Sequence, residues 1–300
     1  MRVTQQMMNN TLLLNLQRNS SRLFDLNSKI SSTLRITKPS DDPVGASFAM
    51  RYRSERSANE QYQENVDRAM GWLEFTDIVV GQSVDIVKKA HELAVLGANS
   101  TNTKESRGAI AAEIEQLLAQ LREIAQSQFN GMYIFNGQRI DKPPYDAAPP
   151  YLDSEADLFD EGRIEYELSP GVVVSVNFHA GEIYGYPGEE GNIFNILHDL
   201  SAALREEDQL EIEANLGKLN KSLDRMLEAW ADLGAKVNRV QLIDQRLKDN
   251  YLNVRTLLSK TEDLDMAEAF TYFKMAEHVY QASLSSGARI IQPSLLDFLR

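Results

Sequence analysis

Apolar residues recur at helical spacing through most of this chain. In the first forty residues they advance in alternating steps of four and three, which keeps them on one face of a helix. The same spacing returns near residues 110–124 and, over a much longer stretch, near residues 212–264. The three apolar seams are Leu12, Leu16, Asn19, Leu23, Leu26, Ile30 and Thr33; Ile110, Ile114, Leu117, Leu121 and Ile124; and Ile212, Leu216, Leu219, Leu223, Met226, Trp230, Leu233, Val237, Val240, Ile243, Leu247, Asn250, Val254, Leu257, Thr261 and Leu264.

Proline placement sets where these helices begin and how long they run. Asp42-Pro43 predicts a helix start, with Asp42 as N-cap and Pro43 in the first turn, where its missing N–H costs nothing. No proline occurs between Pro187 and Pro293. The C-terminal seam therefore predicts one helix of about 75 residues, roughly 110 Å long at 1.5 Å per residue. A helix of that length indicates an elongated rod of long antiparallel helices, with a coiled coil formed from both chain ends.

The stretch 138–191 follows a different pattern. It holds six of the nine prolines and alternates apolar with acidic residues around Ile164, Tyr166 and Leu168. Pro170-Gly171 then separates this run from an apolar one, which predicts a β-hairpin. We therefore expect a mainly α fold with a small inserted β-containing domain at 138–191. The remaining predicted parts are a helical domain at 41–137 with 192–264, and a terminal coiled-coil region at 1–40 with 265–300.

Composition removes several classes of function. The 300 residues carry 31 basic and 44 acidic side chains, a formal charge of −13, so phosphate neutralisation gives no basis for nucleic-acid binding. There is no cysteine, which excludes disulfides and thiolate metal sites. No apolar run is long enough to insert into a membrane, and the first ten residues lack the apolar core of a secretory signal peptide. Read without further information, these features suggest a cytoplasmic protein.

Catalytic motifs are missing as well. The four histidines are isolated, and no P-loop, GxSxG or GxGxxG sequence occurs. Asp153, Glu155 and Asp157 imitate the first ligands of an EF-hand loop, but Leu158 stands where glycine is required. We expect no enzyme activity, no cofactor and no metal. A metal-dependent hydrolase that uses the acidic loop stays open as an alternative, and calcium or zinc binding in calorimetry would support it.

Both ends of the chain carry apolar seams that polar residues interrupt, with Asn19 and Thr33 in one and Asn250 and Thr261 in the other. A polar residue in a seam selects register and oligomeric state at some loss of stability. We expect the two ends to pair within the chain and also to associate with neighbouring subunits. The predicted assembly residues are Leu12, Leu16, Leu23, Leu26, Ile30, Val254, Leu257, Leu264, Leu295, Leu296, Phe298 and Leu299.

Short sequences in a fixed order resemble one known family. PSDDPVGA at 39–46 is similar to the turn after the first helix of flagellin-like axial proteins of the bacterial flagellum. NGMYIFNG at 130–137 resembles the family's YIFAG sequence, with Asn136 in place of alanine. YQASL at 280–284 and LLDFL at 295–299 agree as well. The resemblance covers about residues 1–137 and 192–300 and leaves out the acidic insert, which carries 12 acidic and 3 basic residues, a net charge of −9.

The resemblance implies a secreted, extracellular structural protein rather than a cytoplasmic one. Among flagellin-like proteins, the SDDP turn, YIF-G and LLDFL favour a subunit of the hook–filament junction. Such proteins form a ring of subunits between hook-associated protein 1 and flagellin. They leave the cell through the type III export apparatus after a cytoplasmic export chaperone has held them. Flagellin, the filament subunit, is the alternative, because DLDMAE at 263–268 is typical of it too.

Overall fold

The computed structural model describes residues 5–99, 103–145, 160–186 and 189–291. It divides the chain into two compact units. The first, called the terminal unit here, consists of Met1–Ala58 with Asn250–Arg300, and the second, the central unit, consists of Asn59–Asp249. The three-part division predicted from sequence is a different one and stays a prediction.

The described residues are mainly helical, as predicted. The helices are α1 (Gln5–Ser32), α2 (Pro43–Gly97), α3 (Lys104–Ala125), α4 (Ala180–Tyr184), α5 (Ile193–Glu206), α6 (Gln209–Glu262) and α7 (Met266–Ile291). Helix α2 begins at Pro43 with the Asp42 carboxylate accepting a hydrogen bond from the Gly45 amide at 2.9 Å, which confirms the predicted cap. No helix in the described ranges is apolar over enough of its length to cross a bilayer.

The predicted single helix of about 75 residues is wrong. Helix α6 begins close to the start of the predicted seam, where the Asp208 side chain caps it by accepting from the Leu210 amide at 2.9 Å. It ends at Glu262, and α7 follows as a separate helix that the Asp265 side chain caps by accepting from the Ala267 amide at 2.9 Å. The break at Asp263-Leu264-Asp265 contains neither proline nor glycine, so the sequence gives no punctuation at the point where a carboxylate cap starts the next helix.

The strands of the described residues form two antiparallel hairpins. Strands β1 (Gln128–Phe129) and β2 (Met132–Tyr133) flank Asn130 and Gly131, whose φ angles of 52° and 78° form a tight turn. Helix α3, which carries the predicted seam from Ile110 to Ile124, ends just before this hairpin at Ala125.

Strands β3 (Glu165–Ser169) and β4 (Val172–Ser175) pair around the predicted turn at Pro170-Gly171. Leu168 is buried and Tyr166 half-buried while Glu165 and Glu167 are exposed, which matches the predicted alternation. On β4, Val174 is buried and Val173 is exposed. The hairpin thus turns one apolar face toward the core of the central unit.

The central unit holds a large apolar core. Helix α3 packs against α5, and their buried faces join residues from α2, α6 and the hairpins in one continuous cluster. Phe135, Tyr145, Tyr184 and Phe194 form an aromatic group inside it, with ring centroids 4.8 Å apart for Tyr145 and Phe194. Burial of the Tyr184 hydroxyl, which lies 2.8 Å from the Ser83 hydroxyl, raises the pKa of Tyr184.

Candidate assembly surface

In the terminal unit, α1 packs against α7 in antiparallel orientation. The predicted seam of α1 faces inward, because Leu12, Leu16, Leu23, Leu26 and Ile30 are all half-buried while most of their neighbours are exposed. Leu12 lies directly over Gly287 of α7, where a Cβ atom would come within 2.9 Å of Leu12 Cδ2. A small residue at position 287 therefore lets the two helices approach closely.

The polar break in this seam has a different partner from the one suggested by the sequence. Asn19 Nδ2 donates to Ser283 Oγ at 3.0 Å, and Ser283 in turn donates to the Val279 carbonyl at 2.7 Å. Asn250 and Thr261, the breaks predicted to match Asn19 and Thr33, lie on α6. The partner of α1 is thus the later helix α7.

The chain after α1 is joined by main-chain hydrogen bonds to the end of α6. Leu34 and Asp263 form an antiparallel bridge, in which Arg35 N donates to the Glu262 carbonyl at 2.7 Å and Leu264 N donates to the Thr33 carbonyl at 3.0 Å. The buried Glu262 carboxylate also binds the Arg53 guanidinium at 2.5 Å. These bonds therefore join two segments of the terminal unit that are more than two hundred positions apart in the sequence.

The sequence PSDDPVGA forms a compact turn with two separate carboxylate roles. Asp41 Oδ2 accepts from the Thr37 amide at 3.2 Å, the Lys38 amide at 3.2 Å and the Thr37 hydroxyl at 3.1 Å. These bonds, that from Lys38 foremost, lower the pKa of Asp41. Asp42 caps α2, and a Cβ at Gly45 would press on the Asp42 carboxylate and lie 2.6 Å from Ile36 Cδ1. A larger residue at position 45 would therefore displace the Asp42 cap or the Ile36 side chain.

Most large apolar side chains that are exposed in the described residues belong to the terminal unit. On α1, α7 and the nearby ends of α2 and α6 they are Met7, Met8, Leu13, Leu14, Phe24, Val44, Phe48, Met50, Leu252, Leu257, Met266, Phe270, Tyr272, Met275, Val279 and Leu284. The buried apolar residues described for this unit are few and mostly small: Ile36, Ala46, Ala49, Val254, Leu258 and Ala269. A unit with little core and much exposed apolar surface is suited to binding other subunits.

The predicted assembly residues differ in burial and in position in the structure. The α1 seam faces α7 within the same chain, as described above. On α6, Val254 is 2% exposed whereas Leu257 is 37% exposed, and the neighbouring Leu258 takes the buried position. Leu264 is half-buried beside the bridge. Leu295, Leu296, Phe298 and Leu299 lie outside the described residues.

Sequence reasoning missed the outward-facing stripe itself. Leu13, Leu14 and Phe24 flank the seam of α1 and are 62%, 55% and 70% exposed. The signal was present in the run Leu12-Leu13-Leu14, which is wider than one seam needs. When an apolar stripe is wider than one partner helix of the same chain can cover, it indicates a second partner.

In the described residues, no three or more His, Asp or Glu side chains converge in a way that could hold a metal ion. The acidic loop containing Asp153, Glu155 and Asp157 lies outside those residues. What the described terminal unit presents is an apolar surface.

Two family models match this chain, one at each end. The model of the bacterial flagellin N-terminal helical region matches residues 3–139, and that of the bacterial flagellin C-terminal helical region matches residues 216–299. Together they cover most of the chain, which belongs to the bacterial flagellin family.

Individual relatives span nearly the full length. Flagellar hook-associated protein 3 of Salmonella typhimurium is 26% identical, over 94% of this chain and 95% of that protein. The flagellar filament 30.7 kDa core protein of Treponema maltophilum is 24% identical, over 86% of this chain and 84% of that protein. In fold, the chain is similar to a flagellar hook-associated protein of Vibrio parahaemolyticus, with a TM-score of 0.65, 21% identity, and coverage of 74% of this chain and 100% of that one.

Proposed function

We propose that this chain is a structural subunit of the bacterial flagellum that forms the junction between hook and filament, outside the cell. The exposed apolar surface of the terminal unit is the observation that carries the proposal. Full-length similarity to hook-associated protein 3 of Salmonella typhimurium supports the placement at the junction. The mechanism is mechanical: subunits bury this surface against one another, and no bond is made or broken.

The partners follow from that position. The chain binds copies of itself in a ring, hook-associated protein 1 on one side and flagellin on the other. Before assembly, a cytoplasmic chaperone holds its C-terminal region and the flagellar type III export apparatus secretes it. The wide apolar stripes of α1 and α7, together with the exposed Leu257 of α6, are the surfaces that such partners would cover. Leu295, Leu296, Phe298 and Leu299 stay predicted assembly residues.

Flagellin is the second candidate, because the Treponema maltophilum filament protein is similar over most of this chain. Purified protein separates the two functions. A junction subunit should stay non-filamentous alone and should bind isolated hooks that carry hook-associated protein 1, after which added flagellin extends a filament. Long filaments formed by this chain alone, seen by electron microscopy, would overturn the junction proposal in favour of flagellin.

A further inference from the structure

Methionine is distributed unevenly between the two units. In the described part of the terminal unit every methionine side chain is exposed, by between 38% and 64%, and these residues are Met7, Met8, Met50, Met266 and Met275. In the central unit, Met226 is fully buried, and Met70 and Met132 are half-buried against the apolar core. The exposed thioether side chains described for this chain are therefore confined to the unit that presents the apolar surface.

These methionines lie within the apolar stripes of the helices. Met7 precedes the exposed Leu14 by seven residues, which is two turns of α1, so the two side chains share one face. On α7, Met275 lines a groove of about 230 Å³ beside α1, together with Tyr272 and Val279. A chemical change at either sulfur atom would therefore fall inside the surface that other subunits would cover.

Large exposed apolar side chains of the central unit have a different composition. In its described part they are Ile78, Val95, Leu96, Val173, Leu210 and Leu242, and none of them contains sulfur. Methionine is flexible and polarizable and fits irregular apolar partners, which suits a surface that packs against other subunits. Its sulfur is also open to oxidation. Because the chain has no cysteine, the thioether groups are the sulfur atoms on which an oxidant can act.

Hydrogen peroxide converts methionine to methionine sulfoxide. The thioether sulfur attacks one peroxide oxygen, the O–O bond breaks, and that oxygen is transferred to sulfur while the other leaves as water. The sulfur is oxidised by two electrons and the peroxide is reduced by two. The product carries a polar S=O group on a side chain that was apolar. At an apolar contact this group loses its hydrogen bonds to water, so oxidation weakens the contact.

We propose that Met7, Met8, Met50, Met266 and Met275 are oxidation sites, and that their conversion to sulfoxide by hydrogen peroxide keeps this chain from assembling. The modification acts on the free subunit, because a sulfur atom that a neighbouring subunit covers is protected from the oxidant. Burial protects the sulfur of Met226 in the same way, so the core of the central unit stays intact. The effect on assembly rests on the function proposed above, whereas the selectivity of the oxidation does not.

Peptide mass spectrometry of the full-length chain after graded exposure to hydrogen peroxide tests the selectivity. The exposed methionines of the terminal unit should gain oxygen at least about tenfold faster than Met226, whose sulfur reacts only when the core opens locally. In guanidinium chloride, which unfolds the chain, the rates should become equal. Oxidation of Met226 as fast as that of the exposed methionines in the folded chain, or a difference that persists in guanidinium chloride, would overturn the proposal.

Binding of the chain to isolated hooks that carry hook-associated protein 1 tests the consequence for assembly. The untreated chain should bind, the oxidised chain should bind at least about tenfold more weakly, and the two methionine sulfoxide reductases, one for each sulfoxide epimer, should restore binding. Absence of binding by the untreated chain would overturn the junction role and, with it, the effect on assembly. Equal binding by the untreated and oxidised chains, or no recovery after reduction, would overturn the oxidation proposal and leave the junction role intact.

Leucine variants assign the effect to the exposed sulfur atoms, because leucine is apolar and close to methionine in volume but has no sulfur. The fivefold variant combines Met7→Leu, Met8→Leu, Met50→Leu, Met266→Leu and Met275→Leu. It should bind hooks as the parent does and should keep binding after peroxide. Met70→Leu, at a half-buried position of the central unit, is the matched control and should lose binding after peroxide as the parent does. Circular dichroism verifies folding, and loss of binding by the peroxide-treated fivefold variant would contradict the assigned sites.

Discussion

Asn19 of α1 donates a hydrogen bond of 3.0 Å to Ser283 of α7, at a seam that is otherwise largely apolar. The bond can form at one alignment of the two helices only, so it selects their register in the way that polar seam residues do in coiled coils. Both residues are half-buried, so the bond should contribute more to the stability of the helix pair than a bond on the surface would.

Asn19→Leu should therefore loosen the register of α1 on α7 while leaving the helices paired. Because the chain has no cysteine, a variant with Leu12→Cys and Gly287→Cys reports register through a short bismaleimide cross-linker. Adding Asn19→Leu should lower the cross-linking yield. Asn15→Leu, at an exposed position of the same helix, is the control. Equal yields in both variants would show that Asn19 does not set the register.

Gly45→Ala should destabilise the turn between α1 and α2. The new Cβ would press on the Asp42 carboxylate and Ile36, and overpacking of this kind costs about 1–3 kcal/mol. Gly217→Ala, in α6 with open space around it, should instead stabilise its helix by about 0.5–1 kcal/mol. Thermal unfolding followed by circular dichroism measures both. A Gly45→Ala protein as stable as the parent would contradict the close packing described at this turn.

Arg53→Met should weaken the β-bridge between the chain that follows α1, at Leu34, and the end of α6, at Asp263. The change leaves the buried Glu262 carboxylate without its partner at 2.5 Å, for a loss of about 1–3 kcal/mol. Hydrogen exchange of the Arg35 and Leu264 amides should become faster. Arg68→Met removes an exposed pair with Glu64 at 3.7 Å and should change stability by less than about 1 kcal/mol. Similar exchange in both variants would argue against a special role for Arg53.

Asn136→Ala should destabilise the chain where the acidic insert begins, near residues 138–145. This fully buried amide donates to the Lys142 carbonyl at 3.1 Å and accepts from the Asp160 amide at 3.0 Å. Alanine is the family's residue in the similar YIFAG sequence, yet here it would leave these groups unpaired at a cost of about 1–3 kcal/mol. Limited proteolysis should cut faster near residues 138–145. Asn238→Ala, on an exposed part of α6, should leave the cleavage rate unchanged.

The turn at Thr37–Asp41 should lose order in acid. The pKa of Asp41 is lowered from 3.8 by its hydrogen bonds with Lys38 and Thr37, so its stabilising effect is present above that value and is lost as pH falls through the lower folded pKa. Amide chemical shifts of Thr37 and Lys38 should therefore titrate below about pH 4. Asp41→Asn should remove this titration, and its persistence in the variant would assign it to another group.

Much of this fold can be predicted from the sequence where a local signal exists. The α1 seam, the Asp42-Pro43 cap and the hairpin at Pro170-Gly171 each follow from spacing or from a backbone preference. The residue opposite Asn19 could not be predicted in this way, because periodicity defines a face of a helix but not which side chains cover it. The break between α6 and α7 was missed because Asp263-Leu264-Asp265 contains neither proline nor glycine.

The candidate surface was predicted only in part for a related reason. A seam with steps of four and three identifies Leu12 and Leu16, which turn out to face α7. The exposed Leu13 and Phe24 can be recognised as surface residues only after the face of α1 that contacts α7 is known.

Deletion of the gene tests the central claim most directly. If this chain joins hook to filament, the deletion strain should assemble hooks, carry no filaments and release flagellin into the medium, and a plasmid copy of the gene should restore attached filaments. Electron microscopy of the cells and immunoblots of the medium measure these outcomes. Normal attached filaments in the deletion strain, or loss of extracellular flagellin together with the filaments, would contradict the account.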